Sequence, residues 1–268
     1  DGIRDALVGL VGSEMCIRDR VEPVHLVEAL MDFPSGELAG RHVVVTAGPT
    51  YEDIDPVRFI GNRSSGRMGF AVAQAAAEAG AKVSLVAGPT RLNTPPGVER
   101  TDVRAALEMR DAAVQLASGA DVFISVAAVA DYTPVSPATQ KIKKGLPKQK
   151  LELISTPDIV AEVAAIADGP LTVGFAAETE KLREHALEKL SRKRLDMIAA
   201  NRVGQDGIGF ESEENEILLL SMEGEKPLGK GSKTQLARLL ISEIAASLKG
   251  IENVETRSDK NTRPAPGN

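Results

Sequence analysis

The stretch Val43-Val44-Val45-Thr46-Ala47-Gly48-Pro49-Thr50, followed by Ile60-Gly61-Asn62-Arg63-Ser64-Ser65-Gly66-Arg67-Met68-Gly69, constrains the fold most. A buried strand ends in a Gly-Pro-Thr turn, a polar insert follows, and a helix opens at Ser64-Ser65-Gly66. This is the first βα unit of a nucleotide-binding sheet, but a dinucleotide site would place Gly-x-Gly-x-x-Gly directly after the strand. Here Tyr51 to Asn62 intervene, carrying Asp53, Asp55 and Arg58. An insert of that polarity is expected to bring chemistry as well as phosphate binding.

Apolar runs and helical periods alternate along the chain. Strands are expected at 42–47, 82–87, 98–103, 121–126, 171–175 and 196–200. Helices are expected at 65–79, 104–117, 180–194 and 233–248, and one opens at Pro157 with Thr156 as N-cap. An edge strand is expected at 151–154 and a late strand at 217–220, with Gly224 in a turn. The alternation implies an α/β, doubly wound, mostly parallel Rossmann-like sheet with helices on both faces and a flap and late-strand extension. Its core must be aliphatic, because hydrophobic residues make up 43% of the chain, aromatics only 3%, and Trp is absent. Strands buried on both faces suit that composition. In such sheets ligands bind beyond the carboxyl ends of the strands, at a switch point. Gly48-Pro49-Thr50, Gly88-Pro89-Thr90, Ala127–Asp131 and Ala176–Thr179 are therefore expected on one rim.

A net charge of −6 argues against a general nucleic-acid surface. No apolar run has membrane-spanning length and no signal peptide is visible, which points to a cytoplasmic protein without membrane partners. The single cysteine, Cys16, excludes a disulfide framework, and the three histidines lack ligand spacing. Residues 1–20 fit neither period and resemble translated sequencing-adapter read-through. Residues 21–33 read as an amphipathic helix broken by Pro34-Ser35-Gly36, and residues 251–268 as a disordered polar tail.

Several residues can carry chemistry. Asn62, just before a helix N-terminus, is either a donor to a reacting acyl or phosphoryl group or a turn residue. Gly48, Ser64, Ser65 and Gly66 add hydroxyls and N–H groups at the same point, favouring anion binding. Lys141-Ile142-Lys143-Lys144-Gly145, in a long loop leaving the rim, reads as a mobile flap over a triphosphate in preference to a solvated charge run. Lys189 and Lys193, spaced i, i+4, are either a second phosphate clamp or partners of Glu184 and Glu188 on the helix surface. Asp131, at a strand end, suits a ribose hydroxyl or a metal. Phe175 either packs on a base or finishes its strand. Asp53, Asp55 and Glu178 are candidate Mg²⁺ carboxylates, and the choice among them stays open. No HExxH, CxxC or Walker lysine is present, so positioning and phosphate electrostatics must supply the catalysis.

Taken in order, Thr46–Thr50, Asp55-Pro56-Val57-Arg58, Asn62-Arg63-Ser64-Ser65-Gly66, Ala127-Ala128-Val129-Ala130-Asp131-Tyr132, Lys141-Ile142-Lys143-Lys144, Pro157-Asp158-Ile159-Val160 and Gly174-Phe175-Ala176-Ala177-Glu178-Thr179 resemble the phosphopantothenate–cysteine ligase family over about residues 39–250. The resemblance implies that 4′-phosphopantothenate and L-cysteine are joined through an acyl-cytidylate made with CTP and Mg²⁺. It implies that Asn62 holds that intermediate. It implies that Ala127, Ala128, Val129, Asp131, Lys141, Pro157, Asp158, Ile159, Val160, Phe175, Lys189 and Lys193 contact CTP, and that Lys141 also serves the second half-reaction. It further implies a homodimer whose flap can act across the pair. In bacterial relatives a flavin-dependent decarboxylase precedes this domain. Residues 21–38 resemble the linker from that half, and no flavin is expected in this fragment. The resemblance leaves ATP as the alternative nucleotide. Two readings compete with it. An NAD(P)-dependent reductase would need an acidic residue ending the strand at 82–87, where Gly88-Pro89-Thr90 stands instead. A non-catalytic nucleotide-binding subunit is opposed by the presence of Asn62 and Lys141.

Overall fold

The computed structural model describes residues 36–144, 149–178, 181–202 and 214–261. The segments at 1–20 and 21–35, with Cys16 and the expected helix at 21–33, lie outside the described residues, as do 145–148, Thr179 and 262–268. The described chain falls in the unit Glu37–Asn268, with Gly36 just before it.

Its strands are β1 (His42–Ala47), β2 (Tyr51–Asp53), β3 (Phe59–Gly61), β4 (Lys82–Ala87), β5 (Val98–Asp102), β6 (Val122–Ser125), β7 (Tyr132–Pro134), β8 (Leu153–Ser155), β9 (Leu171–Glu178), β10 (Met197–Arg202), β11 (Glu214–Ser221) and β12 (Gly224–Ser232). Its helices are α1 (Arg67–Glu78), α2 (Ala106–Ala117), α3 (Ile159–Ala164), α4 (Leu182–Lys193) and α5 (Lys233–Asn261). One eight-stranded sheet runs β12-β11-β10-β9-β6-β1-β4-β5. The six strands from β10 to β5 are parallel, and β11 and β12 are antiparallel additions. The α/β class with a mostly parallel sheet thus stands as expected.

Alternation along β1 divides the core. Val43 and Val45 pack with Phe70, Val72 and Ala73 of α1 and with Leu236, Leu240 and Ile244 of α5. Val44 faces the other way, with Phe123, with Met109 and Ala113 of α2, and with Ile159 of α3. Ala186 and Leu190 of α4 cover Ile198 and Ala200 of β10 on their own patch. Both sheet faces are therefore covered, and every residue of β1 after His42 is buried.

Four expectations change. The insert after β1 is the hairpin β2–β3, not a loop, closed by stacked Tyr51 and Phe59 rings 3.9 Å apart. The strand expected at 151–154 does not extend the main sheet. It is β8, paired with β7 in a separate ribbon. The late strand is a hairpin, β11–β12. The final helix continues to Asn261, so the tail read as disordered is helical that far. Glu, Lys and Arg propagate helix well, and no proline interrupts before Pro264.

Candidate functional site

Beyond the carboxyl ends of the parallel strands lies a cavity of about 700 Å³. It sits where β1 and β6 meet, the switch point from which connections run to opposite faces.

The backbone after β6 forms one wall. It is laid along the turn after β1: Ala128 N–H donates to Gly48 O at 2.8 Å, and Pro49 bridges Ala128 in parallel register. Thr46 Oγ1 accepts from Ala127 N–H at 3.3 Å and Thr50 Oγ1 from Ala130 N–H at 2.9 Å. Thr156 Oγ1 donates to Ala130 O at 2.6 Å. Ala127, Ala128 and Val129 are thus fixed as lining, with Asp131 exposed just past them.

A second wall is the start of α1. Gly66 adopts φ +77°, a left-handed conformation that favours glycine. Its N–H bonds Ser64 Oγ at 3.2 Å. No side chain caps α1 and no acid sits in its first turn, so the positive end of the helix faces the cavity. Ser64, Ser65 and Gly66 line it, while Gly48 lies behind and supports Gly66. Asn62 also lines it, with Nδ2 donating to Val129 O at 2.7 Å. That bond orients the amide and uses one of its two N–H groups.

The third wall comes from α3, β9 and α4. Pro157, Asp158, Ile159, Val160, Phe175, Lys189 and Lys193 all line the cavity. Asp158, not Thr156, caps α3, accepting from Ala161 N–H at 3.3 Å. Thr156 is turned away by its bond to Ala130. Lys193 Nζ lies 2.9 Å from Asp158 Oδ2, while Glu188 pairs with Arg192 and Glu184 with Lys181. Both lysines line the cavity, and Lys193 is held there by Asp158.

Lys141 is exposed and is not among the cavity-lining residues. Its loop is anchored beside it: Ile142 N–H donates to Asp55 Oδ2 at 3.1 Å, and Ile142 O accepts from Arg58 Nη2 at 3.0 Å. Asp55 is buried and also accepts from Val57 N–H, Arg58 N–H and the Arg58 guanidinium. The guanidinium hydrogen bonds hold its carboxyl well below the usual range, with the three backbone N–H groups adding to the effect against burial. Asp53 is likewise held low by Arg104, which binds it at 2.6 Å. Glu52, buried beside them, accepts from Ala106 N–H at 2.8 Å at the start of α2. The acidic residues of the insert are thus engaged as anchors, and neither Asp53 nor Asp55 lines the cavity. The side chain of Glu178 lies outside the described residues. Among those described, no three His, Cys, Asp or Glu side chains form a group that could hold a metal ion.

Asn201, Asn215 and Lys233 also line the cavity, and no motif in the sequence pointed to them. Among the described residues, no helix is long and apolar enough to cross a membrane.

Residues 38–248 match the model of the DNA/pantothenate metabolism flavoprotein C-terminal domain. The chain is 50% identical over 221 residues to the coenzyme A biosynthesis bifunctional protein CoaBC of Vibrio cholerae, an overlap of 81% of this chain and 55% of that protein. Identity to the Bacillus subtilis CoaBC is 42% over 217 residues, covering 80% and 53%. The chain spans about half the length of the curated relatives it matches. Among solved structures, a crystallised C-terminal domain of CoaBC superposes with a TM-score of 0.69 at 38% identity, covering 81% of this chain and 100% of that one. A DNA/pantothenate metabolism flavoprotein from Streptococcus pneumoniae, 24% identical with a TM-score of 0.67 and covering 78% and 100%, shares the fold.

Proposed function

The chain belongs to the DNA/pantothenate metabolism flavoprotein C-terminal domain family, and we propose on that premise that it is the phosphopantothenate–cysteine ligase part of a coenzyme A biosynthesis protein. In the first half-reaction a carboxylate oxygen of 4′-phosphopantothenate attacks the α-phosphorus of CTP. The bond to the β-phosphate breaks and pyrophosphate leaves. In the second, the amine of L-cysteine attacks the acyl carbon, CMP leaves, and the amine proton passes to solvent.

One observation carries this reading: positions scattered from Asn62 to Lys193 converge on one cavity lined by hydrogen-bond donors and cations. Such a site works by positioning and by electrostatic stabilisation. The remaining N–H of Asn62 is the donor to the acyl-cytidylate. The open end of α1, Lys189 and Lys193 meet phosphate oxygens. Phe175 packs on the base, and the fixed backbone at 127–129 offers the edge contacts that select cytosine over adenine. Lys141 reaches substrate through motion of its anchored loop or from the partner of a homodimer. A reductase is disfavoured because β4 ends at Ala87 and is followed by Gly88-Pro89, with no acid for a ribose.

Mg²⁺ fits as a cation carried mainly by the nucleotide. The acids lining the cavity are Asp158, paired with Lys193, and Asp131 at the rim, and a hard ion of this size is commonly bound by one carboxylate plus phosphates and water. Asp131 is that carboxylate, and the ion would offset triphosphate charge.

The test is pyrophosphate release by the purified chain given 4′-phosphopantothenate and Mg²⁺, with CTP or ATP, with and without cysteine. The expected result is CTP-dependent release that continues to phosphopantothenoylcysteine. Asn62→Ala should lower product formation about 10²–10³-fold, the usual loss for one well-aimed donor. No release with either nucleotide from folded protein would overturn the reading.

A further inference from the structure

At the β10–β11 end of the cavity, three polar side chains meet that the positions assigned above leave unused. Asn201 lies near the end of β10 and Asn215 near the start of β11, and Lys233 is the first residue of α5. The antiparallel register sets Asn201 opposite Ile217, so Asn215, two residues away, shares its face of the sheet. The α5 helix covers that face and brings Lys233 over the pair. The three are 7%, 2% and 7% exposed, and all line the cavity. Lys233 Nζ, among its contacts, donates to Asn215 Oδ1 at 2.9 Å. Asn201 Oδ1 is buried and accepts no hydrogen bond from a described residue. Burying an acceptor in that state is costly, and the fold alone gives no reason to keep it.

Resting on the ligase reading above, we infer that Asn201, Asn215 and Lys233 form the subsite for the α-amino acid substrate. The carboxylate sits against Lys233 Nζ and the Asn215 amide, and the amine donates to Asn201 Oδ1. The ligand must bring both an anionic acceptor and an N–H donor. A phosphate dianion brings acceptors only, so it could meet Lys233 and an amide N–H but would leave Asn201 Oδ1 without a donor. An α-amino acid supplies both groups on adjacent bonds. The chemistry agrees with the residue types. A neutral amide orients the amine while stabilising its protonated form less than a carboxylate would, and the nearby lysine favours the uncharged, nucleophilic amine. The acceptor and cation together distinguish an amino acid from a simple amine.

The test compares L-cysteine with cysteamine, which has the same thiol and amine but no carboxylate, as acceptors of the acyl group. Pyrophosphate release without any amine is read in parallel. The unaltered chain should prefer cysteine in kcat/KM. In Lys233→Met that preference should fall at least tenfold through a raised KM for cysteine, with cysteamine and amine-free pyrophosphate release changed less than threefold. Asn201→Leu, of nearly the same shape and uncharged, should slow both amines while sparing pyrophosphate release, and it gives a second reading if Lys233→Met does not fold. An unchanged cysteine-to-cysteamine ratio in folded Lys233→Met would overturn the assignment. So would an equal loss of amine-free pyrophosphate release, which would place the triad on the nucleotide or the phosphorylated acid. If the unaltered chain released no pyrophosphate, the ligase reading itself would fail, so the two failures are separable.

Discussion

Asp158 has two tasks that substitution can separate. It caps α3 through Ala161 N–H, and it holds Lys193 at 2.9–3.0 Å on the cavity wall. Removing an N-cap costs about 1 kcal/mol. The ion pair is 49% exposed at Asp158 and 22% at Lys193, which puts its contribution at about 0–1 kcal/mol. Asp158→Ala loses both, so about 1–2 kcal/mol. For a domain of this size that lowers Tm by about 2–8 °C. Asparagine caps as well as aspartate, so Asp158→Asn should lose only the pair, less than about 1 kcal/mol. Both variants release Lys193. If Lys193 meets nucleotide phosphates only when held by Asp158, both should raise the KM for CTP by the same few-fold factor while differing in Tm. Calorimetric unfolding and initial rates at varied CTP measure the two effects, and repeating the scans at 1 M salt should shrink only the pair contribution. Equal Tm losses in the two variants would refute the capping assignment. A KM rise in Asp158→Ala alone would show that α3, not the Lys193 pair, positions the nucleotide.

Two further outcomes follow from the geometry. A Cβ on Gly88 would lie 1.7 Å from Pro49 O, in the contact between the two Gly-Pro turns. Gly88→Ala should therefore destabilise by more than about 4 kcal/mol, an exceptional cost for one methyl, read as loss of soluble expression or a collapsed Tm. A variant of near-normal Tm would show that the turns do not pack this way. Acid should release the Asp55 anchor. Its folded carboxyl is depressed, first by the Arg58 hydrogen bonds, so its stabilisation is present above the unfolded value of about 4 and is lost as pH falls through the lower folded value. Amide exchange at Ile142 should accelerate relative to the core as pH drops below about 4, after correction for intrinsic exchange rates, and Asp55→Asn should remove that pH dependence. Unchanged relative protection at Ile142 across that window would refute the anchor.

How far the sequence carried depends on which force shaped each element. Strands β1, β4, β6, β9 and β10 are apolar runs buried on both faces, and burial writes itself into composition. The hairpin β2–β3 escaped because each strand has three residues, too few for a period, and its anchors, Glu52 to α2 and Asp53 to Arg104, are tertiary. Strand β12 escaped because Gly224–Ser232 is an edge. It is rich in Gly and Lys, and Pro227 is tolerated there because the far side of an edge strand has no ladder to complete. The walls of the cavity were legible because turns and helix starts have local chemistry, as at Ser64-Ser65-Gly66.

The Asn201, Asn215 and Lys233 corner was illegible for the opposite reason. Each residue is ordinary in its own neighbourhood: an asparagine after Met197–Ala200, an asparagine among glutamates, a lysine opening a helix. Only the register between β10 and β11 sets the two amides on one face, and only the packing of α5 brings the lysine onto them. Side chains that recognise a substrate without reacting with it need no motif, because their role is fixed by mutual position and not by spacing. A sequence is therefore most silent about specificity. The one local trace was a polar residue ending an apolar strand at the rim where ligands bind in sheets of this kind. Asn201 fits that description near the end of β10, whereas Asp131, past Ala127–Ala130, stands beyond the end of β6.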